Sequence, residues 1–60
     1  IDQMHARTHG HYVIIDIKLS VDASITVLEG HDIAVFVKNA LMETYPEVED
    51  VLVHINPYKR

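Results

Sequence analysis

The stretch "YVIIDIKLSVDASITVLEG", residues 12–30, decides the fold. Val13, Ile15, Ile17, Leu19 and Val21 point one way, and Asp16, Lys18, Ser20 and Asp22 point the other, with Ile14 the exception. That alternation has the period of a half-buried strand over residues 12–22. "DASIT" then makes a loop. Thr26 followed three residues on by Glu29 forms a capping box, so a helix is expected to begin there. Gly30 inside the first turns costs about 1 kcal/mol relative to alanine, which a packed helix tolerates.

Downstream, Ile33, Val37, Ala40, Leu41 and Thr44 mark one helical face, which is expected to be the core stripe. Pro46 stops the helix, because the residue before a proline is pushed out of the α region. "EVED" leads into a last strand over residues 51–56, where Val51, Val53 and Ile55 alternate with Leu52, His54 and Asn56, and Pro57 ends it. Upstream, residues 3–8 form a weaker strand candidate, and "HGH" at 9–11 is a turn in which Gly10 is free to take positive φ. The order is strand, strand, helix, strand. The crossover through the helix sets strands 12–22 and 51–56 parallel, and the first strand pairs antiparallel at the edge. The expected class is α+β, a three-stranded mixed sheet with one helix on one face and the other face wet or packed on a partner. Leu28, Val35 and Met42 recur every seven residues on the side roughly opposite the core stripe, either as scattered surface hydrophobes or as a contact stripe.

The chain has 60 residues, enough for a single domain spanning 1–60. A chain this short buries about 60% of its unfolded surface, so disulfides, a metal or a second chain are the usual sources of extra stability. Without cysteine, disulfides and thiolate metal sites are excluded, leaving metal or oligomerisation. The formal charge of −4 argues against nucleic acid as a partner. The longest apolar run is Ile33–Val37, far short of the roughly 20 residues of a membrane span. A polar start without an initiator methionine reads as a piece of a longer protein.

Five histidines, at positions 5, 9, 11, 31 and 54, are many for so small a chain. Imidazole is a common ligand for zinc and other borderline metals. His9 and His11 flank the turn and read most simply as solvated. His5 lies on the edge strand, and His31 lies in the first turns of the helix. His54 and Asn56 share one face of the last strand, about 6.6 Å apart by strand rise. Lys18, sharing a strand face with Asp16, would repel a cation or pair with a carboxylate. No glycine-rich phosphate loop or cysteine nucleophile is present, and Ser20 and Ser24 lack a nucleophile's context, so an enzyme is not expected.

"ARTHGHYVIIDIKLSVDASITVLEGHDIA" followed by "YPEVEDVLVHINP" resembles the C-terminal cytoplasmic domain of cation diffusion facilitator transporters, also called cation efflux transporters. The resemblance rests on Arg7-Thr8 before a turn glycine, the strand ending in Val21-Asp22, the Glu29-Gly30-His31 opening of the helix with Ile33-Ala34, and "VHINP" at 53–57. It implies an open-faced, ferredoxin-like and metallochaperone-like β-β-α-β fold that usually opens with a further short helix. It also implies a homodimerising, regulatory role at the cytoplasmic face of the cell membrane, joined to a transmembrane domain of the same chain and inserting nothing of its own into the bilayer. It further implies that the transmembrane part exports divalent cations, zinc foremost, and that Zn²⁺ or another divalent cation is sensed by binding near the dimer interface.

Carried over residue by residue, the resemblance matches the helix and last-strand histidines of zinc-binding members to His31 and His54. Asn56 stands where those members have a bridging aspartate, Lys18 where they have a second-strand histidine, and Met4, with His5 next to it, where they have a first-strand histidine. The expected metal residues are therefore His31, His54, Asn56 and His5, as one site per subunit built around His31 and His54 and completed by His5 or water. The alternative is a metal-independent structural dimerisation module of the same transporter. A free-standing metallochaperone is disfavoured because the usual cysteine pair is missing.

Overall fold

The computed structural model describes residues 1–58, and the elements run β1 (Gln3–His9), β2 (Tyr12–Asp22), α1 (Val27–Thr44) and β3 (Val48–Tyr58). They form one three-stranded sheet in the order β1-β2-β3. β1 is antiparallel to β2, and β3 is parallel to it. This is the expected open-faced β-β-α-β, α+β architecture. β2 is central because it alone alternates apolar and polar residues over eleven positions, offering one face to the helix and two edges to its neighbours. The hairpin closes on Gly10 at φ 62, a left-handed value that glycine adopts without a Cβ clash. Across it, the rings of His9 and Tyr12 stack with centroids 5.9 Å apart.

The helix starts as its caps dictate. Thr26 Oγ1 accepts from the Glu29 N–H at 3.0 Å, and the Glu29 carboxylate accepts from the Thr26 N–H at 2.9 Å. Two backbone donors at the helix start are thereby satisfied. At the other end, Tyr45 donates its N–H to the Leu41 carbonyl before Pro46 breaks the pattern. Val48 donates back to the Tyr45 carbonyl and opens β3.

The core is Ile15, Ile17 and Leu19 of β2 with Val48 and Val51 of β3, and Val37, Leu41, Met42, Val53 and Ile55 pack against it. Ile17, 1% exposed, lies at its centre. α1 lies over β3, which corrects the expected core stripe. Gly30, Ala34, Val37, Lys38, Leu41 and Met42 form the buried and half-buried side, while Ile33, Ala40 and Thr44 are exposed. The helix is apolar on nearly all sides, so its periodicity alone allowed two orientations, and its position over the edge strand selects one. Met42 therefore packs on the core, and only Leu28 and Val35 of that seven-residue series face solvent, joined by Phe36.

The strand bounds also shift. β1 extends through His9, and β3 runs from Val48 to Tyr58 instead of 51–56. Val48 is buried, and a register irregularity between Val13 and Ile14 lets the strand begin early. Pro57 lies within β3, opposite Val21. An edge strand tolerates it because a proline on the unpaired side leaves no ladder bond unmade.

Candidate functional site

The alternation along β2 and β3 divides the polar candidates between two faces. Ile15, Ile17 and Leu19, with Val51, Val53 and Ile55, face α1. Beyond the irregularity at the start of β3, Ile14, Asp16, Lys18 and Ser20 of β2 and Leu52, His54 and Asn56 of β3 therefore line the open face of the sheet. Register fixes their rows. Gln3, Lys18 and His54 stand side by side, His5, Asp16 and Leu52 form the next row, and Ser20 stands beside Asn56.

His54 and Asn56 accordingly share the open face, both exposed. His5 is on the same face, but two strands away and one row displaced, which separates its Cα from that of His54 by roughly 12 Å. Its Nε2 accepts from the Gln3 side-chain amide at 2.7 Å. His31 lies elsewhere. It lines a largely apolar groove of ≈ 450 Å³ between the start of α1 and the end of the sheet, with Ile25, Gly30, Ala34, Val53 and Ile55. Val53 and Ile55 belong to the helix-facing side, so His31 and His54 stand on opposite sides of the sheet within one chain. No group of three or more His, Cys, Asp or Glu among the described residues could hold a metal ion. One subunit thus presents the open-face pair His54 and Asn56, an imidazole nitrogen and an amide oxygen, short of the three or four protein ligands of an ordinary zinc site.

Charge on that face is arranged by a cross-strand fork. Arg7 Nε approaches Asp16 Oδ2 at 3.0 Å, and Arg7 Nη2 donates to Asp16 Oδ1 at 3.5 Å. Asp16 is thereby engaged by Arg7, and Lys18 makes no ion pair among the described residues. At one end of the face the Ser20 hydroxyl donates to the Asp2 carboxylate. Along the outer edge of β3, Lys38 Nζ lies 3.1 Å from Asp50 Oδ1 and ties α1 to that strand. That hydrogen bond from Lys38, with a second from the Val51 N–H, holds the Asp50 carboxyl below its ordinary value. Asp22 is held low in the same way, first by the Ser24 hydroxyl and then by the Ser24 N–H.

Sequence reading did not find the Gln3–His5 hydrogen bond, the Lys38–Asp50 bridge or the groove at His31. The first two depend on register and helix placement, which no local pattern records. The groove had one local signal, Gly30 in the first turns of the helix, whose missing side chain leaves space beside Ile25 and Ile55.

Among the described residues the chain is thus a small open-faced sheet carrying one helix, with one sheet face uncovered. The comparisons identify it further. The family model described as "Cation efflux protein, cytoplasmic domain" matches residues 1–58, and the chain belongs to that family. The manganese efflux system protein MneP of Bacillus subtilis (strain 168) is 47% identical over 58 residues, covering 97% of this chain and 20% of that protein. The chain thus spans about a fifth of the length of that curated relative. In fold, it is similar to the metal-bound C-terminal domain of the CzcD transporter from Thermotoga maritima, at a TM-score of 0.87 and 24% identity, over 92% of this chain and 64% of that one. No described helix is long and apolar enough to cross a membrane.

Proposed function

We propose that this domain pairs two copies of a divalent-cation efflux transporter at the cytoplasmic face of the cell membrane, as a homodimer joined to transmembrane segments of the same polypeptide. The observation that carries the reading is the uncovered sheet face. Only five hydrophobics among the described residues are buried, yet Leu52 and Tyr58 lie exposed, and Ile14 half-buried, on the side that no described element covers. A second copy is the simplest way to complete so small a core. The relative named for manganese efflux supports a divalent transition-metal cation as cargo and favours manganese beside zinc. The reading assigns the domain no catalysis.

A finer reading is that a divalent cation adjusts the pairing. It is supported by His54 and Asn56 sharing the open face, and it requires further donors from the same face of the second copy, where its own His54, Asn56 and His5 lie. A cation that binds one arrangement better than another shifts the population by that difference in affinity and no more.

Sedimentation velocity on the metal-free domain tests the pairing. A dimer at micromolar concentration, converted to monomer by Leu52→Asp, is the expected result. A monomer throughout, or a dimer indifferent to Leu52→Asp, removes the open face as the pairing surface.

A further inference from the structure

We infer that Lys18 sets the divalent-cation affinity of the open face, holding it low by placing a fixed positive charge beside His54 and Asn56. Lys18 is the direct cross-strand neighbour of His54, and Gln3 flanks it on the other side. Adjacent strands lie about 4.8 Å apart, so the Lys18 and His54 side chains rise from neighbouring points on the same face. The nearest carboxylate along β2, Asp16, is engaged by Arg7 at 3.0 Å and does not neutralise the ammonium. Among the described residues, Lys18 is the one Lys or Arg without an ion pair.

Among the described residues no neighbour pairs directly with this charge. Gln3 has its amide nitrogen turned to His5, Asn56 and Ser20 are neutral, and the Asp2 carboxylate, bound by the Ser20 hydroxyl at the end of the face, makes no ion pair with Lys18. A unit positive charge about 6 Å from a dication in a water-like dielectric lowers the dication's affinity about tenfold. The donor set and the local charge therefore disagree. His54 and Asn56 supply an imidazole and an amide oxygen that suit a divalent ion, while Lys18 opposes one. The inference uses the cation-transporter reading only to choose the probe, since any dication would feel the same repulsion.

Calorimetric titration of Zn²⁺ and of Mn²⁺ into the metal-free domain tests this on the wild type, Lys18→Gln and Lys18→His. The wild type is expected to bind weakly, Lys18→Gln about tenfold more tightly, and Lys18→His more tightly again because a second imidazole joins His54. Adding His54→Ala to either variant is expected to abolish the gain. Affinities of Lys18→Gln and Lys18→His within twofold of wild type overturn the inference, and so does a gain that survives His54→Ala. Sedimentation of the same metal-free samples reads pairing separately. A monomeric wild type refutes the pairing proposal and leaves the Lys18 comparison readable.

Discussion

Replacing Ile17 by alanine tests the division of the sheet into a packed and an open face. Ile17 is the most buried side chain of the core at 1% exposure, held among residues of β2, β3 and α1. The substitution removes three buried carbons, about 2.4 kcal/mol at roughly 0.8 kcal/mol each. The cavity left behind raises the cost to about 3–4 kcal/mol, because the elements around the site relax only in part. A chain of this length has about 3–9 kcal/mol of total stability at ordinary values per residue. Ile17→Ala should therefore consume a large fraction of it, and Ile17→Val only about 1 kcal/mol. The neighbouring Lys18→Ala, on the opposite face, should change stability by less than about 0.5 kcal/mol. Urea denaturation followed by circular dichroism reads all three, run at two protein concentrations so that any coupling to dimerisation is visible. An Ile17→Ala cost below about 1 kcal/mol, or a Lys18→Ala cost equal to it, would refute the face assignment.

Three further expectations concern local devices. Gly30→Ala should raise stability by about 0.5–1 kcal/mol in thermal melts, since a Cβ there meets Ile25 at 3.8 Å and Ile55 at 4.0 Å, ordinary contact distances, and alanine is the better helix former. Thr26→Ala should cost about 1 kcal/mol by removing the acceptor for the Glu29 N–H, with Thr26→Ser recovering most of it. The third concerns acid. Because the Asp50 carboxyl is held below its ordinary 3.8, its contribution is fully present above that value and disappears as pH falls through the lower folded one. Lys38→Met should bring the Asp50 titration, followed by carboxylate NMR, back up toward 3.8, and an unmoved titration would separate it from Lys38.

Much of the fold is legible in the sequence because it rests on local rules. The eleven-residue alternation from Tyr12 to Asp22 fixes the central strand, Thr26 and Glu29 fix the helix start, and Pro46 fixes its end. The rest was less legible for definite reasons. Helix α1 carries apolar residues on nearly every side, so its 3.6-residue period allowed either Ile33 or Met42 to face the core. Pro57 is an ordinary strand terminator in sequence, and only the edge position of β3 lets the strand continue through it.

The sequence by itself determined the element order and the sheet's mixed pairing, which follow from spacing and residue type along the chain, and its motifs carried the resemblance to the family. Only the tertiary structure decided which candidate ligands share a surface. It places His54 and Asn56 on the open face with Lys18 between His54 and Gln3, turns His5 toward Gln3, and puts His31 on the far side of the sheet. The physical reason is that a residue's cross-strand neighbours come from register. Register is set by how the whole hydrophobic pattern packs against the helix, and no local window of sequence contains that information.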